Sequence, residues 1–379
     1  MLYAWIKSSS DNIKSKFERN KKMKKIIALL LVAAMTLLVV ACAQPASDPA
    51  PADPAPAPAD PAPAPAADLT FAIVTKSAGN PFMERMASGF QTAAAAMGVT
   101  AIVQHPEDTT AEAQVVVINS LIAQGVSGIA IAANDPGALE STIRSARDQG
   151  IPVITLDSDT AGSQMFVNQA GVFEVAQVLV DSVYDMSGGS GQFAVLSATS
   201  VATNQNAWIA AMGDIIAGDA KYANLEWVTT VYGDDEAQKS FDEAQSLLVN
   251  FPDLKVIVAP TTVGILAAAQ VVMQQGSDVL VAGLGLPSEM LGVTGEGLPC
   301  PYMYLWNPIE LGEVAGYALG AIVNGEITGA VGQSFRAPNG NTYTVIAAAP
   351  EVGIVNTQII VGLPFRFDGN NIAEWAQVY

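Results

Sequence analysis

Histidine is nearly absent from this sequence: His105 is the only one in 379 residues. Metal or catalytic sites that need two histidines are therefore excluded. Cysteine is scarce as well, with only Cys42 and Cys300, so a disulfide framework is excluded. Basic residues are few, 17 Lys+Arg against 36 Asp+Glu, for a net charge of -19. Nucleic-acid binding needs a basic face to neutralise phosphates, and none is available here. The apolar run Ile26–Val40 is shorter than the roughly 20 residues a stable membrane-spanning helix requires. What the chain has in quantity is apolar residue, 50% of the total, enough for a packed core and too much for a disordered chain. The length suggests about two domains.

The charge is unevenly placed. Residues 1–42 carry eight basic residues and two acids, which leaves 9 basic and 34 acidic residues beyond, a net of -25. The basic segment leads into Ile26–Val40 and then Ala41-Cys42, the n-region, h-region and small-residue site of a secretory leader. Val39-Val40-Ala41-Cys42 resembles a bacterial lipobox, which implies cleavage before Cys42 and lipidation of its thiol. Met23 reads as a better start than Met1, so residues 1–22 stand apart from the leader proper. With Cys42 lipidated, Cys300 has no partner and no intrachain disulfide is expected. Residues 43–67 are a Pro/Ala repeat holding nine of the 22 prolines. Such a tract favours extended polyproline II and serves as a spacer.

From Asp68 the pattern becomes strand, helix, strand. Apolar runs at Leu69–Val74, Thr100–Gln104, Ile129–Ala132 and Pro152–Leu156 predict strands. Between them Pro81–Met97, Thr110–Gln124 and Pro136–Gln149 predict helices that end at Gly98, Gly125 and Gly150. The grammar restarts near residue 170. Helices are predicted at Phe173–Asp185, Asn204–Ile216, Ala237–Asn250 and Gly264–Gln275, and strands at Gln192–Ser197, Trp227–Tyr232, Val256–Ala259 and Val279–Leu284. Continuous apolar strands between helices indicate parallel sheets covered on both faces. The fold class is α/β, with two doubly wound parallel-sheet lobes and a cleft between them.

Ligands of such sheets sit beyond the carboxyl ends of the strands. Those positions hold Lys76, Asn80 and Phe82; Asn134 and Asp135; Asp157, Ser158 and Asp159; Thr203, Asn204, Gln205 and Asn206; Tyr232, Asp234 and Asp235; Pro260, Thr261 and Thr262; and Gly285, Leu286 and Pro287. Carboxylates and amides hydrogen-bond paired hydroxyls and rings cover C–H faces, so a small polyol suits this inventory better than an anion. Several of these side chains have a plainer use. Asn134, Asp135 and Thr203 are candidate helix caps. Trp208 reads as core, and His105 lacks a nucleophile partner. No Walker lysine motif or complete dinucleotide fingerprint is present, so no cofactor or metal is expected.

These segments resemble type I periplasmic solute-binding proteins of ABC sugar importers over residues 68–375, within the branch of rhamnose-binding and autoinducer-2-binding (Lsr-type) proteins. The resemblance is carried by Val74-Thr75-Lys76-Ser77, Gly79-Asn80-Pro81-Phe82, Ile154-Thr155-Leu156-Asp157-Ser158-Asp159-Thr160, Ala202-Thr203-Asn204-Gln205-Asn206-Ala207-Trp208, Val258-Ala259-Pro260-Thr261-Thr262, Gly283-Leu284-Gly285-Leu286-Pro287 and Trp306-Asn307-Pro308. It implies ligand contacts from Lys76 and Asp157, from Asn204-Gln205 and from the Pro260-Thr261-Thr262 segment. Autoinducer-2 receptors have Asp and Ala where this chain has Asn204 and Thr262. A rhamnose-type deoxyhexose is the favoured ligand, with autoinducer-2 the alternative. The resemblance further implies three crossings between lobes, near residues 168, 306 and 333, which put Trp306 and Asn307 at the hinge. The lobes are then 68–168 plus 307–332 and 169–306 plus 333–379. It implies ABC permease subunits as partners, a monomer, and membrane contact through the lipid alone. A sensor docking on a chemoreceptor or kinase and a secreted sugar enzyme are the competing readings.

Overall fold

A computed structural model describes residues 69–379. The expected leader, Cys42 and the Pro/Ala spacer lie outside the described residues. The first lobe opens with β1 (Thr70–Val74), α1 (Pro81–Ala96), β2 (Thr100–Gln104), α2 (Ala111–Gln124), β3 (Gly128–Ile131), α3 (Pro136–Asp148), β4 (Val153–Leu156) and β5 (Phe166–Ala170). The second runs through α4 (Val172–Ser187), β6 (Gly191–Ser197), α5 (Thr203–Gly218), β7 (Leu225–Tyr232), α6 (Ala237–Asn250), β8 (Leu254–Ala259), α7 (Thr262–Gln275), β9 (Leu280–Gly283), α8 (Pro287–Met290) and β10 (Tyr302–Leu305). The chain then forms α9 (Pro308–Val323), β11 (Ser334–Arg336), β12 (Thr342–Thr344), β13 (Gln358–Gly362), β14 (Phe365–Asp368) and α10 (Ile372–Trp375).

The first sheet is parallel, in the order β13-β5-β4-β3-β1-β2, and the second is β7-β6-β8-β9. In each, the opening strand lies between its two successors, so the order in which strands are added switches side at β1 and at β6. Crevices open at the carboxyl ends of such strands. The strands lack hydrophobic alternation because both faces are covered. In β1, Phe71 and Ile73 join one apolar cluster and Ala72 and Val74 another, and all four are buried.

Helix α9 follows the second lobe in sequence but packs on the first, against α1 and strands β3 to β5. Gly89, Gly312 and Gly316 allow the two backbones to approach closely. A methyl on Gly312 would overlap the Met86 carbonyl oxygen, and one on Gly89 the Ile309 carbonyl.

The chain passes between lobes after Ala170, between Leu305 and Pro308, and between Gly362 and Phe365. The chain stays on the first lobe well past residue 333, where the resemblance implies the third crossing. The cause is β13, which pairs in parallel with β5, together with the Asp159 carboxylate, which accepts hydrogen bonds from the Val355 and Asn356 amides at 2.9 and 3.0 Å. Only then does β14 return to pair antiparallel with β10. Among the described residues no helix is long and apolar enough to cross a membrane. Cys300 is a buried free thiol.

The α1–α9 contact yields a stability prediction. Gly312→Ala should destabilise the protein by about 1–3 kcal/mol, because the backbone cannot yield to a new methyl without shifting a helix. Urea unfolding checks this, and an unchanged midpoint would mean that the helices separate freely.

Candidate functional site

The cleft is built from the carboxyl ends of both sheets. β1 ends at Val74 and delivers Lys76, and β4 ends at Leu156 and delivers Asp157. These strands flank β3 in the sheet. Their side chains converge over its end and form an ion pair of 2.8 Å, with both side chains under one-tenth exposed. Asp157 adopts a left-handed backbone, φ +61°, which a non-glycine residue holds only under constraint from its surroundings. Asn134, just after β3, donates its side-chain amide to the Lys76 carbonyl at 2.8 Å and fixes the loop carrying the lysine.

The second lobe answers from α5, whose first turns present Asn204, Gln205 and Trp208, and from the ends of β7 and β8, which present Asp235 and Pro260 to Thr262. Asn204 donates to Asp157 across the cleft at 3.4 Å, and the Thr203 hydroxyl donates to the Asp159 carbonyl at 3.3 Å. Both bonds tie lobe to lobe. The walls are aromatic: Trp306 meets Phe82 edge-on at 6.2 Å between centroids and Trp208 at 5.5 Å. The free space left within this lining is about 30 Å³.

Two polar atoms in this lining are buried without a partner, Gln205 Oε1 and Trp306 Nε1. One is an acceptor and the other a donor. Both atoms are therefore free to bond a polar group that enters the cleft. No group of three or more His, Cys, Asp or Glu among the described residues could hold a metal.

Of the site residues expected from sequence, Lys76, Asn80, Phe82, Asp157, Asn204, Gln205, Pro260, Thr262 and Trp306 line this cleft together. Asn80 also caps α1 by accepting from the Phe82 amide at 3.0 Å. Three expected residues are not in the lining. Asp159 turns away: its carboxylate accepts from Thr155 Oγ1, the Thr160 amide, the Val355 and Asn356 amides and Asn356 Nδ2. Burial raises its pKa against these bonds, which lower it. It lines only a smaller space behind Asp157 and Trp208. Leu286 is fully buried, and its carbonyl accepts the amides of Glu289 and Met290 at the start of α8. Asn307 caps α9, accepting from Ile309 and Glu310. Met83, Leu284 and Leu305, which sequence reasoning left out, also line the cleft, as do Trp208 and the strand-end residues Asp235 and Thr261. Position after a strand signalled Asp235 and Thr261. Trp208, read as core, is buried and a cleft wall at once. His105 Nδ1 lies 2.8 Å from Thr75 Oγ1, a partly buried contact outside the cleft.

Residues 71–327 match the periplasmic binding protein domain family. A crystal structure of an ABC transporter solute binding protein from Clostridium phytofermentas with bound L-rhamnose is 49% identical. It superposes with a TM-score of 0.80, covering 83% of this chain and 100% of that one. LsrB from Clostridium saccharobutylicum in complex with AI-2 shares the fold, at 22% identity and TM-score 0.75 over 81% of this chain and 99% of that one. Among curated proteins, the ribose import binding protein RbsB of Bacillus subtilis is 22% identical over 69% of this chain and 81% of its own length.

Asp159 thus has a scaffolding role with a distinct signature. Asp159→Ala should lower stability by about 3 kcal/mol, since several buried donors lose their acceptor. Ligand affinity of the folded fraction should change little. Thermal unfolding and calorimetric titration separate the two effects, and a binding defect at unchanged stability would restore Asp159 to the contact set.

Proposed function

The chain belongs to the periplasmic binding protein domain family, and on that premise we propose that it is the lipid-anchored receptor of an ABC importer, binding an L-rhamnose-type deoxyhexose in the cleft. The coarser statement stands independently: the chain is a sugar ABC transporter substrate-binding protein and not an enzyme. The family is extracytoplasmic. Lipidation of Cys42, with residues 43–67 as a tether, would confine the receptor near its permease and raise its effective concentration.

The single observation that carries the sugar reading is the cross-lobe set formed by the Lys76–Asp157 pair, Asn204 and the unpartnered Gln205 and Trp306. A ligand shifts a conformational equilibrium only by its differential affinity for the two states. A sugar held by both lobes favours the closed arrangement, which is the form a permease would recognise. The 49% identity to a rhamnose-bound protein supports the deoxyhexose. Asn204 and Thr262 stand where the resemblance to autoinducer-2 receptors places Asp and Ala, and this favours the same choice.

L-rhamnose at about 100 times its dissociation constant should stabilise the protein by roughly 2.7 kcal/mol. A thermal-shift panel of L-rhamnose, L-fucose, ribose, xylose, galactose and autoinducer-2 reads this. A shift with autoinducer-2 alone would reverse the ligand assignment. Asp157→Asn keeps the left-handed backbone accessible but removes a charged acceptor. It should weaken sugar binding about 10- to 100-fold. For the anchor, Cys42→Ala should release the receptor from membranes on fractionation of the expressing cells, and retention of that variant would refute lipidation.

A further inference from the structure

The described cleft lining contains one lysine and two aspartates, and the lysine is already matched. Lys76 pairs with Asp157 within the first lobe. Asp235 enters from the second lobe, beyond the end of β7. Its Oδ1 accepts the Thr261 hydroxyl, and its Oδ2 makes no hydrogen bond among the described residues. The other charged groups around it are the Lys76–Asp157 pair and Asp234, and Asp234 is itself paired with Lys239.

The backbone is bent to put Asp235 there. Asp234 and Asp235 both hold left-handed conformations, φ +54° and +56°. Consecutive non-glycine residues in that region are unfavourable and persist only where the surroundings impose them. Here the Gly233 and Asp234 amides donate to the carbonyls of Ser197 and Ala198, past the end of β6. A side chain on Gly233 would overlap Ser240, so the bend also packs directly on α6.

We propose that Asp235 is a ligand-contacting, specificity-determining carboxylate that accepts sugar hydroxyls from the second-lobe side and makes the cleft select neutral sugars over sugar acids. The proposal rests on the sugar-binding reading above. With Lys76 matched by Asp157, the lining carries one net negative charge. An anionic ligand would face two carboxylates and a single cation, a net like charge that rejects it. A neutral sugar offers only hydroxyls, and an ionised carboxylate is purely an acceptor for them. The unpartnered Gln205 Oε1 and Trp306 Nε1, both in buried residues, complete the set around the same ligand.

The same geometry makes binding sensitive to acid. Burial pushes the Asp235 carboxyl up from its ordinary range, and Asp157 and Asp234 push the same way. The Thr261 bond and Lys76 oppose them. Sugar hydroxyls favour the ionised form, so binding competes with the proton. Affinity should be greatest above the raised pKa of the free protein. It should fall as pH drops through the raised pKa of the free protein, at a higher pH than an ordinary carboxylate would give, with a proton released on binding there.

The test is calorimetric titration of the full chain and of Asp235→Asn with L-rhamnose, L-fucose, ribose and D-galacturonate between pH 4.5 and 8. Asparagine tolerates the left-handed backbone and can still accept from Thr261. The wild type should bind a neutral sugar and reject galacturonate. The variant should lose about 10- to 100-fold in affinity for that sugar, lose the acid-side decline, and discriminate less against galacturonate. Its melting temperature should change little, because Asp235 is half-buried and asparagine can keep the bond from Thr261. Unchanged affinity or an unchanged pH profile in the variant overturns the role of Asp235 alone, as does a binding loss accompanied by a fall in melting temperature. A wild type that binds no neutral sugar overturns the sugar reading and this proposal with it.

Discussion

The buried ion pair between Lys76 and Asp157 is the constraint around which the cleft is organised. Removing two charges from water is costly, and their attraction offsets that cost only with good geometry and further hydrogen bonds. The structure supplies both. The partners come from strands on either side of β3, their separation is 2.8 Å, and Asn134 and Asn204 steady one member each. Loss of either partner would leave an unmatched buried charge, a situation that typically costs 3–5 kcal/mol. The pair therefore needs the whole first sheet in register, and the first sheet needs α9 and β13, which arrive only after the chain has visited the second lobe.

Contact and scaffold are divided between neighbouring residues. Asp157 and Asp159 lie two positions apart and face opposite tasks. One carboxylate lines the cleft and is paired with a lysine, and the other is saturated by hydrogen bonds from the segment leading into β13. Trp306 and Asn307 divide in the same way. The indole lines the cleft with an unpartnered N–H, and the amide caps the helix that returns the chain to the first lobe. The cleft wall and the return of the chain to the first lobe are thereby coupled through adjacent peptide units.

The repeating βα grammar was legible because each element carries its own signal. Apolar runs set the buried strands, left-handed glycines end α2 and α4, and side-chain caps at Asn80, Thr110 and Asp135 start their helices. The later strands were not legible. β11, β12 and β14 are three or four residues long, and β13 is only partly buried along its length. Their pairing depends on partners far away in sequence, so the third crossing was expected too early. At the site, position after a strand marked most of the residues that line the cleft. It could not separate Asp157 from Asp159, or show that Trp208 serves core and cleft together.

The sequence by itself determined the two parallel-sheet lobes, the strand ends that line the cleft and the excess of acidic over basic side chains. Periodicity, helix caps and composition are local properties, and each segment expresses them without its neighbours. Only the tertiary structure decided which strand-end carboxylates face the cleft, where the chain last changes lobe, and that Asp235 stands opposite an already matched ion pair. Those outcomes depend on strand order and on hydrogen bonds between residues as far apart as Asp159 and Asn356. A side chain's direction is set by the backbone turn beneath it and by the partners that fold around it, and no local pattern records either.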